Sequence, residues 1–314
     1  MNTPWYAIAS YDAGAGPRAA LVLEGHQLYD AAALGGGSDA GANPLLLGSQ
    51  HVIANWESCR AALDALAQRL QAERAAGRGP APLAAGSYKL LPPYQPGRIF
   101  GAASNYYEHA AEMGTQLAAR SESAPYCFMK AETSVIADGE DVVKPAHTQK
   151  LDWEVELGVV IGRVCRHVTV EQAFEVIAGY TVFNDISARD LNRRSDYPFT
   201  HDWFRGKSFD TFGPMGPWVV PRQCIAEPQK LRMRLAVNDE LMQNDTAEGM
   251  IFNIAEQIAY LSSMLTLRPG DLIATGTPTG VGMGRGVFLQ PGDVMTASIE
   301  QIGSLRNRVV AATA

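Results

Sequence analysis

Residues 150–162 read KLDWEVELGVVIG, and residues 179–190 read GYTVFNDISARD. Both segments carry the apolar runs of buried strands, and between them they hold three carboxylates: Glu154, Glu156 and Asp185. Residues i and i+2 of a strand share a face, so Glu154 and Glu156 stand side by side. Trp153, Val155 and Leu157 alternate with them, and Val159, Val160 and Ile161 follow. Two like charges on a half-buried face are costly unless a cation lies between them. Asp185 ends the run Tyr180–Asn184 and can complete the set. Three carboxylates without a nearby Cys or His suit a hard divalent cation, Mg²⁺ or Mn²⁺. An E-x-E pair also occurs on the solvated, salt-bridged face of a sheet, and the motif alone leaves both readings open.

Working outward, 314 residues correspond to about two domains. The chain is 46% hydrophobic and 19% charged, an ordinary globular balance. Its net charge of −7 and lack of a basic cluster argue against a nucleic-acid partner. No run of 18 apolar residues predicts a membrane span. The N-terminus lacks the basic and apolar regions of a signal peptide. Cys59, Cys127, Cys165 and Cys224 are widely spaced without C-x-x-C, which fits a reducing cytoplasm better than a disulfide framework or a zinc site.

Before the central stretch, residues 5–10, 18–23 and 27–29 read as strands, 33–50 as loop and 56–75 as an amphipathic helix stopped by Gly77. GRGPAPLAAG (77–86) and LLPPYQPG (90–97) read as linker, which places a boundary between a small domain, 1–92, and a second, 93–314. Residues 98–102 predict a strand and 105–113 a helix capped by Ser104 or Asn105. On that helix His109 and Glu112 are i and i+3, close enough to bond. A carboxylate on an imidazole fixes its tautomer and raises its basicity, as a general base requires, although surface His/Glu pairs at this spacing are common. Lys130, set among apolar residues, either snorkels at an edge or reaches into a site.

Beyond Asp190, residues 191–205 are polar and rich in aromatics, the mark of an ordered loop over a site. Lys207 follows at the start of a strand-like run and serves either a substrate oxyanion or a structural salt bridge. Residues 231–237 and 240–243 predict a hairpin about Asn238–Asp239, and 250–265 an amphipathic helix. The run TGTPTGVGMGRG lacks the G-K-[ST] ending of a P-loop. Its glycines are expected to shape a turn that aims Thr275, Thr277 and backbone N–H groups at a ligand carboxylate. The last part predicts two strands with turns at 291–293 and 302–303.

Over about residues 92–314 the chain resembles the fumarylacetoacetate hydrolase superfamily. The stretches that carry the resemblance are GAASNYYEHAAEM, FMKAETSVI, LDWEVELGVVIG, FNDISARD, FRGKSFDTFGPMGPWVV, GDLIATGTPTGVG and PGDVMTASIEQIGSLRN, in order and in register. The resemblance implies an α+β, mainly β fold of rolled mixed sheets behind a small N-terminal domain, and a homodimer. It implies Mg²⁺ or Mn²⁺ on Glu154, Glu156 and Asp185. It further implies that His109 and Glu112 on a lid helix activate water, that Lys207 is catalytic, and that Lys130, Arg189, Asn192 and Thr277 face substrate. Many family hydrolases carry Gln where this chain has Asn192, one methylene shorter.

The expected substrates are small 2-oxo acids with a second carbonyl or carboxylate, bound through the cation as Lewis acid. The leading expectation is a metal-dependent hydrolase of a carbon–carbon bond in acylpyruvate-type, fumarylpyruvate-like diketo acids. Asn192 motivates the alternative of an oxaloacetate-like decarboxylase or an isomerase of the same superfamily. A catalytically silent binding protein on this scaffold is a third reading.

Overall fold

The computed structural model describes residues 5–34 and 39–313. The quoted segments form antiparallel neighbours, Val155–Ile161 and Ile177–Asn184, at the middle of an eleven-stranded sheet. On the strand 155–161 every residue is buried, because both faces of the sheet are covered. The period of two sorts the covers. Val155, Leu157, Val159 and Ile161 join a core with Leu235, Met295, Ala297 and Ile299, which belong to a five-stranded second sheet. Val160 joins a separate core under the helix Trp56–Ala75.

That helix turns Trp56, Cys59, Leu63, Leu66, Ala67 and Leu70 inward at steps of three and four, as its sequence requires. Gly162 lacks a side chain where a Cβ would meet the Trp56 ring at 2.5 Å. Leu63→Ala in this fully buried row is a change of about 2–5 kcal/mol.

Both sheets are mixed. Leu272–Ala274 runs parallel to Ile99–Ala103, and Gly303–Ala311 runs parallel to Val142–Lys144, among otherwise mainly antiparallel pairs. This is the α+β, mainly β architecture of rolled mixed sheets. The N-terminal strands Ala7–Asp12, Pro17–Leu23 and Gln27–Asp30 continue the large sheet, since Ile8 pairs with Val219 of the strand Gly213–Pro221. The Pro-rich connection contributes Lys89–Leu91, which pairs with Ala7–Asp12.

Several local expectations are corrected. Within 33–50, read as loop, Pro44–Leu47 is a 3-10 turn and a helix Ser49–Ala54 begins; residues 35–38 lie outside the described ones. The helix expected over 105–113 is Tyr107–Glu112, and neither Ser104 nor Asn105 caps it. Asn105 is instead a buried tie: its amide donates to Phe252 O and Thr275 O and accepts from Phe252 N. Lys207 does not open a strand. It ends a short helix, Trp203–Lys207, whose N-cap Asp202 accepts from Arg205 N at 3.0 Å. The helix expected over 250–265 is Ile254–Met264, set by a capping box between Asn253 and Glu256. The hairpin turn at Asn238–Asp239 is as expected, with both residues at positive φ. No helix among the described residues is long and apolar enough to cross a membrane, and no disulfide joins the four cysteines.

Candidate metal centre and active site

Strand register assembles the acidic cluster. Val155 pairs with Asn184, so Asp185 emerges beside Glu154, and its N–H donates to Glu154 O at 2.9 Å. The Asn184 side chain accepts from Glu154 N at 3.0 Å and locks the same edge. One oxygen each from Glu154, Glu156 and Asp185 lie within 4.8 Å of one another, and all three residues are buried.

Three cations approach this cluster, and they divide unevenly. Lys207 Nζ bridges Glu154 Oε2 at 2.6 Å and Asp185 Oδ2 at 2.5 Å. Lys130 Nζ donates to Asp185 Oδ1 at 2.7 Å and to Ile186 O at 3.2 Å. Arg189 clasps Glu154 Oε1 at 2.7 Å and Asp152 Oδ2 at 2.8 Å. Glu156 receives only the Gly276 N–H, at 2.8 Å, and makes no salt bridge among the described residues.

The carboxyls respond accordingly. Burial works to raise Glu154, but Lys207 and Arg189 outweigh it and hold the carboxyl at about 2. Burial, then the charges of Asp185 and Glu154, push Glu156 well above the usual range. Burial opposes the charge on Lys207, but Asp185 and Glu154 raise it; on Lys130 burial prevails and the ammonium is pulled down. A hard divalent cation fits this donor set. It would be held by Glu154, Glu156 and Asp185, all oxygen donors, and would relieve the one carboxyl that has no cationic partner.

A cleft of about 510 Å³ opens over the cluster. His109, Glu154, Glu156, Arg189, Asn192, Lys207 and Thr277 line it. His109 Nδ1 lies 3.3 Å from Glu112 Oε2, and both Glu112 oxygens accept from Gly280 N. Burial raises Glu112, but the His109 bond and the Gly280 N–H together lower it, so it is the anionic partner of the imidazole. Lys130 is buried beneath Asp185 and is not among the lining residues.

The glycine-rich turn serves the protein's own groups. Thr275 Oγ1 donates to Leu157 O and Thr277 Oγ1 to Val155 O, both at 2.9 Å, and Gln243 Nε2 donates to Thr277 Oγ1 at 2.8 Å. The N–H groups of Gly276, Gly280, Gly282 and Met283 go to Glu156, Glu112 and Asp152. In this structure these hydroxyls and amides bond to backbone carbonyls and to the carboxylates of Glu156, Glu112 and Asp152, while Thr277 also lines the cleft. Asn192 Oδ1 is buried without a hydrogen-bond partner and packs on Gly206, where a Cβ would come within 1.5 Å of it.

Sequence reasoning missed Asp152. It shares the parity of Glu154 and Glu156, and D-x-E-x-E was legible in the quoted stretch. It missed Gln243 and the Gly276 N–H, which leave no local signal. Trp203, in the aromatic segment 191–205 read as a loop over a site, does line the cleft.

Fold and site together define a β-sheet protein with a buried, cation-hungry carboxylate cluster under a His/Glu pair. The family description "Fumarylacetoacetate (FAA) hydrolase C-terminal" matches residues 98–310, and the chain belongs to that family. A 2,4-didehydro-3-deoxy-L-rhamnonate hydrolase from a Sphingomonas species is 42% identical over 216 residues, 68% of this chain and 73% of that protein. Among solved structures, a maleylpyruvate hydrolase from a Sphingobium species, in complex with manganese(II) and pyruvate, is similar with TM-score 0.73 at 30% identity. That match covers 98% of this chain and 100% of the other. A 5-carboxymethyl-2-hydroxymuconate delta-isomerase from Mycobacterium smegmatis gives TM-score 0.63 at 33% identity over 74% of this chain and 83% of the other.

Proposed function

We propose that the protein is a divalent-metal-dependent hydrolase that cleaves a carbon–carbon bond in acylpyruvate-type 2-oxo acids. The observation that carries the reading is Glu156: a buried carboxyl, within 4.8 Å of two others, with no cation of its own, under a cleft that His109 also lines. The similarity to a maleylpyruvate hydrolase with manganese and pyruvate supports it.

A Mg²⁺ or Mn²⁺ ion on Glu154, Glu156 and Asp185 supplies Lewis-acid stabilisation of negative charge on the 2-oxo side of the substrate. Lys207 adds a fixed positive charge at the same end of the cleft. Glu112 accepts a hydrogen bond from His109 Nδ1–H, a tautomer that leaves Nε2 to take a proton from water. That water adds to the distal carbonyl carbon. The bond from this carbon to the neighbouring methylene breaks, and its electron pair leaves as the enolate of pyruvate. Protonation at carbon completes pyruvate, and the acyl part departs as a carboxylic acid. Arg189 positions Glu154 and Asp152, and Lys130 positions Asp185. The family resemblance adds a homodimer to this reading.

Asn192 favours a second reading, an isomerase or decarboxylase on the same cluster, because its Oδ1 is spent on no partner in the structure. Product analysis separates the two. Stripped protein reloaded with Mg²⁺ or Mn²⁺ is given acetylpyruvate and oxaloacetate, with NMR as readout. Pyruvate plus acetate, only with metal, is the expected result, and His109→Ala should lose it by about 10²–10⁴-fold while still binding Mn²⁺. Pyruvate and CO₂ from oxaloacetate alone would move the assignment to decarboxylase.

A further inference from the structure

A second cavity, about 220 Å³, adjoins the catalytic cleft. Ala103, Ser104, His201 and Trp203 line both, so the two share a wall and lie side by side. The remainder of this annex is walled mainly by Leu117, Ala118, Ala124, Tyr126, Ile251 and Phe252. Among the described residues no Lys, Arg, Asp or Glu lines it. The cationic side chains Lys150, Arg189 and Arg193 line the main cleft only.

Trp203 is the hinge of the arrangement. Its ring lies 6.1 Å from the Tyr126 ring, on the annex side, and stacks at 5.4 Å on Phe128, whose own ring is 5.0 Å from Lys207 Nζ. The Trp203 ring itself lies 5.8 Å from Lys207 Nζ, on the carboxylate side. An aromatic wall therefore runs from the catalytic lysine into the annex. His201, the only imidazole there, is stacked on Trp203 at 6.3 Å.

Resting on the hydrolase reading, we infer that the substrate's acyl group is an uncharged hydrocarbon chain that occupies this annex. A distal carboxylate there would meet no Lys or Arg to pair it, and chiefly Ser104, Ser123 and His201 as polar neighbours. A hydrocarbon gains with each methylene it buries, by about three- to fourfold in affinity. The annex is open at Ala118, Ala124 and Tyr126, which are exposed, so chain length is not capped at a few carbons.

The test compares acetylpyruvate, butanoylpyruvate, hexanoylpyruvate and fumarylpyruvate with the Mn²⁺-loaded protein. The expected kcat/KM rises along the saturated series and is lowest for the fumaryl diacid relative to its length. Ala118→Trp and Ala124→Trp, which fill the annex, should flatten the ratio of hexanoyl to acetyl. A flat wild-type series, or a preference for fumarylpyruvate, would overturn the inference while leaving the hydrolase reading intact. If no acylpyruvate is cleaved, the hydrolase reading fails, and the annex is then tested by calorimetry. Tighter binding of 2-oxooctanoate than of 2-oxobutanoate or 2-oxoglutarate upholds it; equal or tighter binding of 2-oxoglutarate overturns it.

Discussion

At the floor of the cleft, Lys130, Glu154, Glu156, Asp185 and Lys207 are all at most 4% exposed and bound to named partners. At its mouth stands the segment 191–205, of which Asn192, Arg193, His201 and Trp203 line the cleft and Tyr197, Phe199 and Phe204 are 56%, 74% and 63% exposed. The floor is held by charge in a dry setting, where each removed partner leaves a costly orphan. The mouth is held by a few aromatic stacks and surface ion pairs, which cost little to rearrange. A rigid floor suits chemistry common to many substrates, and an adaptable mouth suits the choice among them.

The largest effects are expected on the floor, and they should differ between two carboxylates of one cluster, Glu154 and Glu156. Glu154→Gln leaves Lys207 and Arg189 short of a charge partner, so it should cost roughly 3–5 kcal/mol in urea melts of the metal-free protein. Glu156→Gln removes a carboxyl that makes no salt bridge among the described residues and feels Lys207 only as a neighbouring charge. It should leave metal-free stability unchanged or higher, yet weaken Mn²⁺ binding in a calorimetric titration. Equal destabilisation by both changes would break the comparison, because it would mean that Glu156 is as tightly paired with Lys207 as Glu154 is.

A middle-sized effect is expected with pH. Glu156 has its folded pKa raised above the ordinary 4.5, so its contribution to stability is full at low pH and is lost as pH rises through that raised value. Glu154, held at about 2, contributes fully above 4.5 and loses that contribution as pH falls from 4.5 towards 2. The raised Glu156 carboxyl must be ionised to hold a metal, so the gain in Tm on adding Mn²⁺ should widen as pH rises from acid towards neutrality. A gain independent of pH would show that Glu156 is already ionised in the metal-free fold.

The smallest effect is expected at the mouth. Phe199→Ser should change stability by no more than about 0.5 kcal/mol, as for other exposed sites, measured by thermal melting at several protein concentrations. A larger, concentration-dependent loss would show that this loop is covered by a second copy in solution.

What could be read along the chain depended on how local its cause was. The helix Trp56–Ala75 was legible because its apolar spacing is a property of a short segment. The hairpin at Asn238–Asp239 was legible because those two residues accept positive φ. Lys207 was misread as opening a strand, although Asp202 was available as a cap signal for the helix before it. Asn105 was misread as a cap because its partners, Phe252 and Thr275, lie about 150 residues or more away.

The sequence by itself determined that Glu154 and Glu156 share a face and that Asp185 ends a buried strand, since side-chain parity is set by the backbone of each strand alone. Only the tertiary structure decided which cation meets which carboxylate. Lys130, Arg189 and Lys207 reach the cluster from a strand, a loop and a short helix, and nothing in their spacing says that Glu156 is the one left over. The annex is likewise a product of assembly. Its walls come from around residues 103, 117–126, 201–203 and 251–252, and a cavity between four separate segments has no signature in any one of them.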